Sequence, residues 1–159
     1  MSMPLPSMRL LLRPTSTWVY LFKPWNNIHG HWITFRKTID IEGPSPEVYC
    51  SMGAAYENLE QYDLGLKYYQ KAAKLDAFYD EAWFGAGSCL EKQEKWYQAL
   101  HFFNKAIKLN SQSPEYWKAA AHAEFKIGNT ISSISAYEEA SHFGPADKEI
   151  WLNLVLYIL

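Results

Sequence analysis

The sequence predicts an all-α protein, an α-solenoid of antiparallel helix hairpins, on three observations. A nine-residue phrase recurs at a fixed step of 34 residues: TFRKTIDIE at 34–42, YYQKAAKLD at 68–76, FFNKAIKLN at 102–110 and AYEEASHFG at 136–144. Counted in 34s from residue 46, residue classes recur as well. Position 4 is Tyr49, Trp83, Trp117 and Trp151, and position 8 is Gly53, Gly87 and Ala121. Position 20 is Gly65, Ala99 and Ser133, position 24 is Tyr69, Phe103 and Tyr137, and position 27 is Ala72, Ala106 and Ala140. Within one unit the apolar residues then fall at three- and four-residue steps, the spacing of a helix face. Tyr49, Met52, Gly53, Tyr56 and Leu59 form one such stripe; Tyr62, Leu66, Tyr69, Ala72 and Ala73 form the next.

The units are 46–79, 80–113 and 114–147, with a partial fourth over 148–159. Each begins with a helix A, opened by Pro46-Glu47, Asp80-Glu81 or Pro114-Glu115, because proline is tolerated and acid favoured in a first helical turn. A short polar turn (Glu60, Gln61 in the first unit) leads into helix B, giving an antiparallel pair. Glycine inside a helix costs about 1 kcal/mol relative to alanine, so Gly53 and Gly87 imply close helix approach. Helix B of the same unit is expected to press its own small residue there, with the rings at 4 and 24 filling the surroundings. A large side chain at Ala99 would then overpack. One hairpin cannot bury its apolar face alone, so units lean on one another and coil into a superhelix.

Composition agrees with a folded chain. It is 48% apolar and 20% charged over 159 residues, without low-complexity tracts, and 16% aromatic, which favours a core built on large rings. A net charge of −2 argues against a nucleic-acid partner. The charge is uneven: residues 1–39 hold five basic residues and no acid, whereas 40–159 hold ten lysines against all seventeen acids, a balance of −7. Cys50 and Cys89 make neither a CxxC nor a zinc spacing and point to a reducing, cytoplasmic setting. No apolar run reaches the ~20 residues of a membrane helix. In MSMPLPSMRLLLRPTSTWVYLF, arginines interrupt the apolar stretch before a signal-peptide core forms.

Period and residue classes together resemble the tetratricopeptide repeat family over residues 46–159. The resemblance implies a right-handed superhelix whose inner wall is lined by helix A, and it is similar to bacterial members with many more units, as if this chain were a piece of a longer array. Glu124 departs from the pattern at position 11, where Tyr56 and Leu90 stand in the other units, and Phe125 is expected to take over that packing. At position 32 only Pro145 matches the usual proline; Ala77 and Ser111 stand in its place elsewhere.

The ends fit less well. Phe35, Thr38, Ile39 and Ile41 keep the phase, so 32–45 reads as a degenerate helix B. Trp18 and Phe22 also fall on apolar positions, but Pro14, Pro24 and Gly30 interrupt any helix, and 1–31 reads as irregular or weakly ordered. At the other end, Leu152, Leu154, Val155, Leu156, Ile158 and Leu159 surround the last helix with apolar surface, which wants a cover: a following helix B or self-association.

No catalytic constellation, metal set or cofactor motif stands out. There is no phosphate loop, GxSxG, HExxH or kinase signature, so the chain reads as a non-enzyme. His29-x-His31 is an isolated pair, and His101 and His142 fall on exposed helix-B positions. Cys89 reads as a small core filler and Cys50 as facing the groove with no basic neighbour to activate it.

The resemblance instead implies a peptide-binding groove lined by positions 2, 5, 9 and 12 of helix A. These are Glu47, Cys50, Ala54 and Glu57; Glu81, Phe84, Ser88 and Glu91; then Glu115, Lys118, His122 and Phe125. Five glutamates against one lysine suit a peptide with basic and apolar side chains. The helix dipole alone would also explain Glu47, Glu81 and Glu115, while Phe84 and Phe125 would bury nothing on an inner wall unless something docks. Family members that grip a C-terminal carboxylate use Lys, Asn and Arg at positions held here by Cys50, Ala54, Gly85, Glu115 and Ala119, so that clamp is absent. The reading is a non-catalytic interaction module; the alternatives are an assembly scaffold joined through the array ends or a secretion-type chaperone, since compact chaperones of three such repeats have about this length.

Overall fold

The computed structural model describes residues 33–41 and 43–144. These form seven helices and no strand. Residues 33–41 are α1. Then follow α2 (Pro46–Asn58), α3 (Tyr62–Leu75), α4 (Asp80–Lys92), α5 (Trp96–Leu109), α6 (Pro114–Ile127) and α7 (Thr130–Phe143). The expectations for 1–31, for the fourth helix A with Trp151, for His29-x-His31 and for Pro145 lie outside the described residues.

Helix starts and stops follow local chemistry. The Ser45 hydroxyl accepts from the Val48 N–H at 3.3 Å, and Pro46 occupies the first turn, where its missing N–H costs nothing. At the end of α1, Gly43 takes a left-handed φ of 86° while its N–H donates to the Ile39 carbonyl. The A-to-B turns share one backbone feature that the sequence pattern does not announce. Position 15 is left-handed in all three units: Glu60 at φ 60°, Glu94 at φ 59° and Gly128 at φ 96°. Only the third unit places glycine there, so the first two hold an L-residue in a conformation that costs it roughly 1–2 kcal/mol.

Successive helices pack as antiparallel neighbours from α2 to α7. In addition α4 touches both α2 and α6, while no contact of that extent joins one helix B to another among the described residues. The A helices therefore form the tighter, inner wall and the B helices the outer one.

Three apolar clusters fill the spaces between helices. One joins Cys50, Tyr69, Ala72, Ala82, Ala86 and Cys89; the second centres on Leu90, Ala99, Phe103, Ala106 and Tyr116; the third holds Ala121, Ala136, Tyr137 and Ala140. The ring at position 24 and the alanine at 27 are buried in every unit.

The glycines sit where those rings land. A Cβ on Gly53 would stand 2.9 Å from the Tyr69 ring, one on Gly87 would stand 2.5 Å from Phe103, and one on Gly85 would overlap Tyr69. Tyr69 is thus wedged between Gly53 of its own unit and Gly85 of the next. Helix B therefore meets position 8 with two groups, the ring at 24 as well as the small residue at 20 that the spacing predicts. The small residue at 20 meets the same strand of backbone from the side. A Cβ on Gly65 would lie 3.2 Å from the Gly53 carbonyl oxygen, and in the third unit the Ser133 hydroxyl donates to the Ala121 carbonyl at 2.8 Å.

The tryptophan at position 4 ties the second and third units to the loop before each. Trp83 Nε1 donates to the Ala77 carbonyl at 2.9 Å and Trp117 Nε1 to the Ser111 carbonyl at 2.8 Å. In the first two units helix B covers the ring at position 4 with a lysine at position 26: Lys105 Nζ stands 4.1 Å from the Trp83 centroid and Lys71 Nζ 5.5 Å from that of Tyr49. Glu124, the departure at position 11, is taken up locally, accepting from Asn129 Nδ2 at 2.7 Å.

Two stability outcomes follow, both read by chemical denaturation. Glu94→Gly relieves the left-handed glutamate and raises stability by about 0.5–1 kcal/mol after the entropy cost of glycine, whereas Gly128→Ala lowers it by a similar amount. Ala99→Leu, at a site with no exposure, overpacks the second cluster and costs about 1–3 kcal/mol.

Candidate functional site

The inner wall is built by α2, α4 and α6, and the repeat places positions 2, 5, 9 and 12 of each on a common side. Its most regular feature is polar. The carboxylate at position 12 of one unit meets the side chain at position 9 of the next, 31 residues on. Glu57 Oε1 accepts from the Ser88 hydroxyl at 2.5 Å, and Glu91 Oε1 lies 2.5 Å from His122 Nδ1. The second carboxylate oxygen of Glu57 accepts from the Tyr69 hydroxyl at 3.0 Å. The ring that fills the first core cluster thus reaches through it to the groove wall. Burial and the adjoining Glu57 carboxylate push the Tyr69 phenol far above its ordinary range, which keeps it a donor.

Glu57 and Glu91 therefore each spend carboxylate oxygens on side chains of the wall itself. The three glutamates at position 2 are exposed. Each is also served by a neighbour at its helix start: Glu81 accepts from the Tyr79 hydroxyl at 2.8 Å and Glu115 from the Ser113 hydroxyl at 3.0 Å. Glu47 is held below the usual carboxylate range by its own backbone N–H and then by Ser45.

Position 5 differs from expectation in two units. Cys50 is 8% exposed and packs in the first cluster with Tyr69 and Cys89, so it offers the groove almost no surface. Burial, followed by the nearby Glu81 and Glu47, pushes its thiol up to about 12, and burial followed by Glu57 does the same for Cys89. Neither is a nucleophile at neutral pH. Phe84 does bury surface within the chain: its ring stacks on Tyr116 of the next helix A at 4.7 Å between centroids and tilts against Phe103 at 5.7 Å. The inference that an aromatic on this wall must await a ligand fails for Phe84, because a ring at position 5 is long enough to bridge adjacent A helices. Lys118 is half-buried with contacts of its own, and Phe125 likewise.

Two residues outside the expected set complete the third-unit end of the wall. Trp96, the first residue of α5, presents its ring to His122 edge-on at 5.5 Å, and Lys126 Nζ lies 5.6 Å over the Trp96 ring. Tyr116 backs Phe84 and donates its hydroxyl to Asp80 Oδ2 at 3.0 Å, an acceptor shared with Asn110 Nδ2 at 3.0 Å. Repeat phase gives the first residue of helix B no role on the inner wall, so nothing in the pattern pointed to Trp96. Among the described residues no group of three His, Cys, Asp or Glu is placed to hold a metal, and no helix is long and apolar enough to cross a membrane.

Models of the tetratricopeptide repeat family match residues 46–79 and 80–113. No curated protein matches the chain. Among solved structures, the first TPR of Spaghetti (RPAP3) bound to HSP90 peptide SRMEEVD superposes with a TM-score of 0.69 at 19% identity, over 71% of this chain and 90% of that one. The first TPR domain of the human RPAP3 protein gives 0.68 at 20% identity over 70% and 88%. MamA gives 0.71 at 19% identity over 77% and 72%. At such identities the likeness is one of fold.

The inter-unit pairs predict a measurable coupling. In a double-mutant cycle of Glu91→Ala with His122→Ala, unfolding free energies give a coupling of about 0.5–1 kcal/mol, modest because the histidine side is 40% exposed.

Proposed function

Since the chain is a tetratricopeptide repeat protein, we propose that it is a non-catalytic protein-interaction module that holds a partner's peptide segment along the wall of α2, α4 and α6. The observation that carries this reading is the register of that wall. The A helices touch one another, and positions 9 and 12 are locked unit to unit through Glu57–Ser88 and Glu91–His122. A wall pre-set by its own hydrogen bonds spends little on ordering when a peptide arrives. The likeness in fold to an RPAP3 domain bound to an HSP90 peptide is in keeping with an architecture that can hold a peptide.

The chemistry of the wall favours a peptide with basic and apolar side chains. Its exposed charges are Glu47, Glu81 and Glu115 at one edge, with half-buried Phe125 and His122 toward the other. Cys50, Ala54, Gly85, Glu115 and Ala119 stand where a carboxylate-gripping member needs Lys, Asn and Arg, so a peptide's own terminal carboxylate has no cationic cradle.

The test is fluorescence anisotropy with labelled peptides, one rich in lysine and leucine and one of the same length rich in glutamate and leucine. The basic peptide binds the native chain and loses about tenfold in affinity to the Glu81→Lys/Glu115→Lys variant and to Phe125→Ala, with melting curves showing all variants folded. Equal affinity of both peptides, or variants that bind like the native chain, contradicts the reading.

A further inference from the structure

The outward sides of the B helices differ in chemistry from the inner wall. Along α3 the exposed residues at three- and four-residue steps are Asp63, Lys67, Gln70 and Lys74; along α5 they are Tyr97, His101, Asn104 and Lys108. Asp63 is the one acid in these two helices, and it already accepts from Gln93 Nε2 at 3.0 Å. Among the described residues none of Lys67, Lys74 and Lys108 is in an ion pair. The repeat thus separates charge, with acids on α2 and α4 and free cations on α3 and α5.

Between α3 and α5 runs an open crevice of about 300 Å³. Leu66 and Gln70 form one side, Tyr97, His101 and Phe102 the other, and Leu90 the floor. Tyr97 is 74% exposed at its rim, although a tyrosine contributes to the core only when buried. The edge of the His101 ring packs on Phe102 at 5.9 Å between centroids, so the histidine is set as part of the crevice wall. The matching surface of α7 carries Ile131, Ser135, Glu138 and His142, with one acid and no lysine. The lining of the slot itself holds no lysine; Lys67, Lys74 and Lys108 stand on the exposed faces of the two helices that flank it.

We propose that this outer crevice is a second docking surface, for an acidic peptide segment that seats one apolar side chain between Leu66 and Phe102 and sets its carboxylates against Lys67, Lys74 and Lys108. An acidic peptide fits both parts of the surface, since the slot takes a side chain while the lysines on the flanking helix faces take charge. A nucleic acid fits less well, because one exposed ring and three spread lysines give neither a stacking platform nor a continuous basic track. The surface stands apart from the inner groove and holds whether or not that groove binds a peptide.

The experiment is a titration of the ¹⁵N-labelled full chain, followed by amide chemical shifts at low salt. The probes are a short peptide of aspartate and glutamate around a central Leu-Phe pair, the same peptide with Ala-Ala in the centre, and single-stranded oligo-uridine of equal length. The Leu-Phe peptide shifts amides near Leu66, Gln70, Tyr97 and His101, and the Ala-Ala peptide binds about tenfold more weakly. Lys67→Glu/Lys108→Glu weakens the Leu-Phe peptide about tenfold and Tyr97→Ser several-fold; all three residues are exposed, and melting curves verify the fold. The proposal is overturned by an absence of shifts at millimolar peptide, by equal binding of the Ala-Ala peptide, by tighter binding of oligo-uridine, or by shifts confined to α2, α4 and α6.

Discussion

A helix-B ring seated on bare helix-A backbone is the contact from which the rest of this structure follows. Tyr69 lies between Gly53 and Gly85, and Phe103 lies on Gly87. The balance of magnitudes explains why the sequence keeps glycine in the middle of these helices. Two helical glycines give up about 2 kcal/mol relative to alanine, whereas a fully buried aromatic contributes about 3–5 kcal/mol as judged by its truncation. Seating the ring wins, and only glycine leaves room for it on both sides. Because Tyr69 is held by two successive units at once, one side chain fixes both the hairpin and the step to the next hairpin.

That step decides what the inner wall looks like. With the A helices drawn into contact, position 12 of one unit arrives opposite position 9 of the next, and the hydrogen bonds Glu57–Ser88 and Glu91–His122 form. Tyr69 joins core to surface directly, since its buried ring carries a hydroxyl that donates to Glu57. A buried phenol would be costly without an acceptor and a half-buried carboxylate costly without donors, so each satisfies the other. The wall is thereby pre-ordered, and its outer counterpart on α3 and α5 is left with the lysines that the wall does not use.

Much of this was legible in the sequence because a 34-residue period with matched residue classes has few physical explanations. The hairpins, the helix starts at Pro46 and Pro114, and the close approach at Gly53 and Gly87 all followed from spacing. What spacing could not supply was direction. It pointed to the small residue of helix B at position 8 but not to the ring that lands there beside it, and it could not show that Phe84 reaches Tyr116 rather than solvent. The left-handed turns at Glu60 and Glu94 were hidden because glutamate carries no mark of that conformation; Gly128, at the same repeat position, was the available clue. The polar ladder was also within reach, since Glu57 to Ser88 and Glu91 to His122 are both one period less three. Reading it required treating groove positions as partners of each other instead of as ligands in waiting. Cys50 was misplaced for a related reason: a small side chain at position 5 sinks into the core where Phe84 can bridge outward.

The most direct measurement of the central claim is a double-mutant cycle between Gly85 and Tyr69, read by equilibrium denaturation. Alanine at 85 should destabilise the native chain by about 1–3 kcal/mol, against the gain expected of alanine in a helix, because its Cβ overlaps the tyrosine ring. In the Tyr69→Leu background, where the ring is gone, the same substitution should be neutral or stabilising. If Gly85→Ala stabilises the native chain, or costs the same in both backgrounds, the ring is not seated on that glycine and the account of how the repeats are joined is wrong.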